Sequence, residues 1–271
     1  MRGSYEVLLP VKDECENLPH LLNSLFSQTI PPRKVTVIDD ASTDCTRQIL
    51  AKINNKKIAK ICLNRNIGKQ NILSILFRVY EPSADYVIIM DADVVLPDST
   101  SMEKILEKTK RSHIAFTSYD VAPSRDPLWL GFKFSALLLH KINLCRQTHL
   151  IGSGALVVIS RDIFNKIKMP PGILRDDLFL YLYAKHVLRV RPAYIDGMPI
   201  LLKHRKTPLT RLIRKLAKAN AVEDRLRRFP IDKPPLTCVV KAPLKTFKEF
   251  PQGLPIWVLL KVVSTLYAVF S

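Results

Sequence analysis

The chain has 271 residues, 47% of them hydrophobic, and 42 Lys and Arg against 24 Asp and Glu give it a net charge of +18. That much apolar material excludes a disordered tail protein and suits one large domain, with or without a short appendage. Residues 1–100 hold 12 basic and 12 acidic side chains, so the whole excess lies in 101–271. It points there to an anionic partner: nucleic acid, anionic lipid or a sugar nucleotide.

Glu6–Pro10 reads as a short buried strand ended by proline, and Leu18–Gln28 carries the i, i+3, i+4 apolar pattern of an amphipathic helix. Lys34–Ile38 is a β-branched strand, stopped by Asp39-Asp40 and a turn. Thr46–Ile53 follows as helix, with Asp44 or Ser42 placed to cap it. Lys60–Leu63 is a third strand, Gly68–Tyr80 a helix, and Tyr86–Met90 a fourth strand that ends in Asp91-Ala92-Asp93. Strand and helix alternating in this way predict an α/β fold, a doubly wound and mostly parallel sheet. Ligands of such sheets sit at the carboxyl ends of the strands, where both acidic clusters fall.

Beyond residue 100 the alternation is less regular. Leu128–Cys145 reads as an apolar, aromatic helix, and Ala155–Ile159 as a strand introduced by Gly152-Ser153-Gly154. Asp176-Asp177 opens a helix through Tyr183, and Val187–Tyr194 and Pro199–Leu202 read as strands. Lys203–Lys233 holds 11 Lys and Arg against 3 acids, and 230–255 is punctuated by proline.

The five cysteines, Cys15, Cys45, Cys62, Cys145 and Cys238, are odd in number, widely spaced and without a C-x-x-C pair. Neither a disulfide framework nor a structural zinc site is expected. The apolar run at Val7–Val11 is too short for a secretory signal, so a reducing, cytosolic setting is the default.

Two carboxylates flanking one small residue at a strand end, as in Asp91-Ala92-Asp93, can turn toward one hard cation such as Mg²⁺ or Mn²⁺. A solvated acidic turn is the other reading of the same residues. Asp39-Asp40 can accept hydrogen bonds from a base or from ribose hydroxyls; the plainer account is a capped helix start.

In chain order these pieces resemble the family 2 glycosyltransferases of the GT-A fold. Pro10-Val11-Lys12-Asp13-Glu14 resembles the opening P-x-x-N-E, with Asp13 where Asn is usual. Ser24–Thr29 is similar to S-L-x-x-Q-T, Val37–Thr46 to V-D-D-x-S-x-D-x-T, and Asn66–Lys69 to N-x-G-K. Asp91–Asp93 matches the D-x-D, Gly152–Gly154 the G-S-G, and Asp176-Asp177 with Leu180 the E-D-x-x-L, with Asp where Glu is usual. The resemblance spans residues 4–205.

It implies an inverting, metal-dependent transferase that moves a single sugar from a UDP- or GDP-sugar. Pro10, Glu14, Asp39 and Asp40 would line the nucleoside pocket, and Lys69 would lie near the nucleotide. Asp91, Ala92 and Asp93 would hold the donor, with Asp91 and Asp93 on Mn²⁺ or Mg²⁺ and His204 approaching the same ion. Asp177 would be the general base, its pKa raised by Asp176 alongside. No Q-x-x-R-W element follows Asp177, which argues against a polysaccharide synthase.

Thr210–Arg228 is a basic amphipathic stretch suited to an anionic membrane surface, and Leu254–Ser271 has a single charge, Lys261. These features predict a GT-A domain, 1–205, and a basic helical C-terminal extension, 206–271, associated with a membrane. The protein would sit at the inner face of the cell membrane, peripherally or through one C-terminal anchor. Its acceptor would be a glycan or a lipid-linked hydroxyl or phosphate, in glycan, glycolipid or glycoprotein assembly. The rival reading is a non-catalytic nucleotide-, lipid- or RNA-binding protein on the same fold. Nucleic acid is disfavoured because the basic stretch lacks interleaved aromatics.

Overall fold

The computed structural model describes residues 3–123, 125–126, 128–146, 154–202, 229, 236–259 and 261. Strands β1 (Tyr5–Val11), β2 (Lys34–Asp39), β3 (Ile58–Cys62) and β4 (Tyr86–Met90) alternate with helices α1 (Asn17–Phe26), α2 (Thr46–Lys52) and α3 (Lys69–Val79). Then follow β5 (Val94–Val95), α4 (Ser101–Thr109), β6 (Ile114–Val121), α5 (Leu128–Arg146), β7 (Leu156–Ser160), α6 (Arg161–Phe164), α7 (Asp176–His186), β8 (Ala193–Leu202) and α8 (Leu236–Glu249).

The eight strands form one sheet in the order β3-β2-β1-β4-β7-β6-β8-β5. The first four run parallel, and β7 joins antiparallel between β4 and β6. Period-two alternation sends the side chains of β1 to opposite faces. Tyr5, Val7 and Leu9 pack with Leu18, Leu21 and Leu25 of α1 and with Met102 and Ile105 of α4. Leu8 points the other way, into a core with Leu73 of α3, Phe164 of α6 and Phe179 of α7. The four consecutive buried apolar residues at the end of β4 are what a strand covered on both faces requires.

Several boundaries differ from the sequence reading. Pro10 does not end β1: the strand continues to Val11, paired with Asp39 of β2. The ladder to β4 does stop at Leu8↔Ile89, short of Pro10, which has no N–H to continue it. Val187–Tyr194 is not a strand through its length. The N–H groups of Val187 and Leu188 bond to the Tyr183 carbonyl and that of Val190 to Ala184, while Arg189 takes φ 58°. Those groups close the end of α7, and β8 begins only at Ala193. The proline-punctuated stretch holds helix α8, with Pro243 inside it. Sequence periodicity passed over α4 and β6.

The described C-terminal elements pack on α5. Phe134 and Leu138 meet Ala242, Phe250, Leu254 and Trp257, and the Trp129 and Phe250 rings stand edge to face at 5.7 Å. Among the described residues no helix is long and apolar enough to cross a membrane. Gly152, Ser153, His204, the stretch 210–228 and the end of the apolar C-terminal segment lie outside the described residues.

Candidate functional site

Parallel pairing sets the carboxyl ends of β1, β2 and β4 side by side, and the loops that leave them build the site. The loop after β1 and the loop after β2 are tied by reciprocal hydrogen bonds. Thr43 N–H donates to Asp13 Oδ1 at 2.7 Å, Asp13 N–H to Ser42 Oγ at 2.8 Å, and Lys12 Nζ to the Ala41 carbonyl. Burial alone would raise the Asp13 carboxyl, but the Thr43 hydrogen bonds and the Lys12 charge outweigh it and hold its pKa below the usual carboxylate value. Asp13 and Ala41 both adopt left-handed φ, 54° and 56°. Asp44, one of the two expected candidates, accepts Thr46 N–H at 2.9 Å ahead of α2, while the N-cap position itself is Cys45, which makes no side-chain cap. Ser42 is used on Asp13 instead.

One correction concerns the cysteines. Cys15 and Cys45, 30 positions apart, are joined as a disulfide with Cα atoms at 5.2 Å. Sequence spacing hides it because the β1–β2 pairing, not the local chain, brings the two loops together. Cys62 is free and exposed.

Glu14 donates its N–H to Thr46 Oγ1 and accepts from Asn17 Nδ2, both at 2.8 Å. Pro10 is buried in β1, opposite Ile38 of β2. Asp39 is wholly buried at the end of β2 and accepts from Arg47 Nε at 2.7 Å and from Ser42 N–H. Arg47 bridges onward to the Leu63 carbonyl, which the sequence reading did not anticipate. Asp40 receives the N–H groups of Ile67 and Gly68 at 2.7 and 2.8 Å. Its carboxylate is therefore committed to the loop that launches α3. Gly68 has φ 83°, a conformation that favours glycine.

Lys69, the first residue of α3, reaches across the strand ends. Its ammonium lies 2.7 Å from Asp91 Oδ1, 3.2 Å from Asp176 Oδ2 and 3.4 Å from the Gly154 carbonyl. Burial alone would lower its pKa, but Asp176 and Asp91 together push it above the usual lysine value. Asp91 N–H is bonded to the Ala155 carbonyl and the Asp91 carbonyl to Val94 N–H, so the chain turns sharply at Asp91–Asp93 before entering β5. Ala92 is buried, and Asp91 and Asp93 are half-buried.

Asp176 and Asp177 occupy the first turn of α7, where the helix dipole favours negative charge. Burial raises the Asp177 pKa, the Asp176 charge adds to that, and Arg175, with Nη2 3.5 Å away, opposes it. The expected neighbour effect is present, but desolvation dominates. Tyr119 feels the Asp177 charge too, and its phenol is pushed up to about 12, chiefly by burial. A Cβ at Gly154 would meet the Asp177 Cβ at 3.2 Å, so the last glycine of the G-S-G is where the backbone must come close to the acidic pair. Lys261 is held below the usual lysine value by burial and by the charge of Arg175.

The structure thus brings Lys69, Asp91, Asp176 and Asp177 together, with Asp39 and Asp40 at the end of β2, separated from β4 by β1. Gln28 of the S-L-x-x-Q-T segment is buried away from them. Its side chain donates to the Asp98 carbonyl at 2.9 Å and accepts Met102 N–H at 3.0 Å, tying α1 to α4. Among the described residues no group of three or more His, Cys, Asp or Glu side chains is arranged to hold a metal.

Comparison with solved structures gives the same fold. A mannosyltransferase from Pyrobaculum calidifontis, solved with GDP-Man and Mn²⁺, matches 98% of this chain and 76% of its own at TM-score 0.63 and 18% identity. Staphylococcus aureus TarS 1-349 with UDP-GlcNAc matches 95% and 79% at TM-score 0.55 and 16% identity. Among curated proteins, an undecaprenyl-phosphate 4-deoxy-4-formamido-L-arabinose transferase of Yersinia pestis is 29% identical over 124 residues, 42% of this chain and 34% of the relative. A poly-β-1,6-N-acetyl-D-glucosamine synthase of Staphylococcus epidermidis is 32% identical over 92 residues, 34% of this chain and 22% of the relative. The chain thus matches only about a third or less of the length of these curated relatives. The family model "Glycosyl transferase family 2" matches residues 6–168, more than half of the chain, and with the acidic strand ends in their places the chain belongs to that family.

Proposed function

We propose that the chain transfers one sugar from a nucleoside-diphosphate sugar to a lipid-linked or glycan acceptor, with inversion at the anomeric carbon. The observation that carries this reading is the Lys69 bridge: it sets donor-side Asp91 and Asp176 of the half-buried acidic pair around one cation. A single in-line displacement needs both on one site, with leaving group and attacking oxygen on opposite sides of the sugar. In this reading Pro10, Glu14 and Asp39 line the nucleoside pocket, with Asp40 holding the loop that carries Lys69. Ala92 lets the backbone turn between its two carboxylates.

The carboxylates of Asp91 and Asp93 fit a hard divalent cation such as Mn²⁺ or Mg²⁺, and two protein ligands leave room for diphosphate oxygens. When bound, that ion would supply positive charge against the departing nucleoside diphosphate. With a hydroxyl acceptor, Asp177 would take its proton; its desolvated carboxylate is a stronger base than an exposed one. A phosphate acceptor is already anionic and has no such proton to lose. The relatives named for undecaprenyl phosphate favour that second acceptor class. Residues 1–205 would carry the chemistry, and the basic extension 206–271 would seat them on an anionic membrane at the cytoplasmic face.

Thermal unfolding against a panel of nucleoside diphosphates and their sugars, with and without Mn²⁺, tests the donor site. A ligand at about a hundred times its Kd adds roughly 2.7 kcal/mol, or about 5–10 °C in Tm. The expected result is a metal-dependent shift with one nucleotide that disappears in Asp93→Ala. No shift in folded protein overturns the assignment. Asp177→Asn then separates the acceptors, because only the hydroxyl route collapses.

A further inference from the structure

The oxygens that surround the Lys69 ammonium are those a hard cation would seek: Asp91 Oδ1, Asp176 Oδ2 and the Gly154 carbonyl. The ammonium is held there from behind. Asp40 fixes Ile67 and Gly68, and α3 starts at Lys69, so the side chain leaves a rigid helix start rather than a free loop. Its side chain is only 23% exposed. A divalent ion arriving at Asp91 would therefore meet a carboxylate already paired, with a positive charge beside it.

We infer that Lys69 is a resident counter-ion that makes metal uptake conditional on the nucleotide. With no donor, it neutralises Asp91 and Asp176 and keeps a bare divalent ion from settling. When a nucleoside diphosphate enters, its negative charge gives the ammonium a new partner, Asp91 is released to the incoming ion, and metal and nucleotide bind as a pair. Lys69 acts through Asp91 and Asp176 and is a positioning residue. No bond is made or broken in the exchange; one ion pair replaces another. The inference rests on the donor-site reading proposed above.

The test is direct Mn²⁺ binding to the full chain, followed by the electron paramagnetic resonance of free Mn²⁺, without nucleotide and then with GDP or UDP. Lys69→Met removes the charge and keeps the length of the side chain; Lys69→Arg keeps the charge. Without nucleotide, Lys69→Met is expected to bind Mn²⁺ about tenfold or more tightly than wild type, and Lys69→Arg like wild type. The gain is expected to vanish in Lys69→Met/Asp91→Asn. The enhancement of Mn²⁺ affinity by the nucleotide, large in wild type, is expected to shrink in Lys69→Met. A merely structural lysine would weaken metal binding when lost, not strengthen it.

Equal Mn²⁺ affinity in wild type and Lys69→Met without nucleotide, with nucleotide-dependent uptake intact in wild type, overturns the counter-ion role and leaves the donor site standing. No Mn²⁺ uptake by wild type even with nucleotide overturns the donor-site reading itself. Near-ultraviolet circular dichroism checks each fold, and Lys69→Gln serves as the neutral variant if the methionine does not fold.

Discussion

Arg175 and Asp177 face each other at the start of α7, Nη2 to Oδ2 at 3.5 Å. Burial raises the Asp177 carboxyl and Arg175 restrains that rise, so the pair sets where the acid limb of a pH–rate profile falls. If Asp177 takes the acceptor proton, kcat/KM is lost as pH drops through its raised value, above the ordinary 3.9 or so of an aspartate. Arg175→Met removes the restraint and moves that limb to higher pH, while Asp177→Asn lowers kcat by about 10²–10⁴-fold. Stability has the opposite sense. A carboxyl whose folded pKa is raised adds stability below its unfolded value, and that stability is lost as pH rises through the folded one. Asp177→Asn is therefore expected to equal wild type in urea unfolding below about pH 4 and exceed it at pH 8.

Asp40 is a structural anchor for the loop that launches α3, under the proposed donor site. Its carboxylate is almost wholly buried and takes two backbone N–H groups. Asp40→Ala leaves both without a charged acceptor and is expected to cost about 2–4 kcal/mol. Asp40→Asn keeps one acceptor and is expected to cost about half that. Urea denaturation measures both. Nucleotide affinity should fall in parallel, because the same loop places Lys69.

The Cys15–Cys45 bond closes a loop of 30 positions and is expected to contribute about 2–4 kcal/mol. Reduction by dithiothreitol, or Cys15→Ser, lowers the unfolding free energy by that amount. The two loops remain tied through Asp13, Thr43 and Lys12, so the folded far-ultraviolet spectrum persists at 25 °C. Identical urea midpoints for oxidised and reduced protein would mean that the two thiols stay apart in solution.

The first four strands and the helices between them were readable because each apolar run is bounded by acids or turn residues, as Val35–Ile38 is by Asp39-Asp40. The later elements were harder for particular reasons. In β6, Ile114-Ala115-Phe116 pass into polar Thr117-Ser118, and the register shifts between Thr117 and Tyr119, so neither period persists. Pro243 in α8 argued for a break in a segment whose helix packs on α5. At the site, Asp91, Asp176, Asp177 and Lys69 were legible as residue types in order. The Arg47–Asp39 pair, the commitment of Asp40 to a loop and the cysteine pairing were not, since each depends on which loops the sheet sets adjacent.

The antiparallel seat of β7 beside β4 has a consequence for the growing chain. Once Met90 has been made, β1–β4 can assemble as a four-stranded sheet, yet the Val87-Ile88-Ile89-Met90 edge has no partner until Leu156–Ser160 emerges. At ordinary elongation rates that interval lasts roughly 3–15 s, during which an apolar edge is open to pairing with another nascent chain. Slower translation between those two segments would lengthen the exposure, and a chaperone that shields strand edges would find its substrate there rather than in the finished protein.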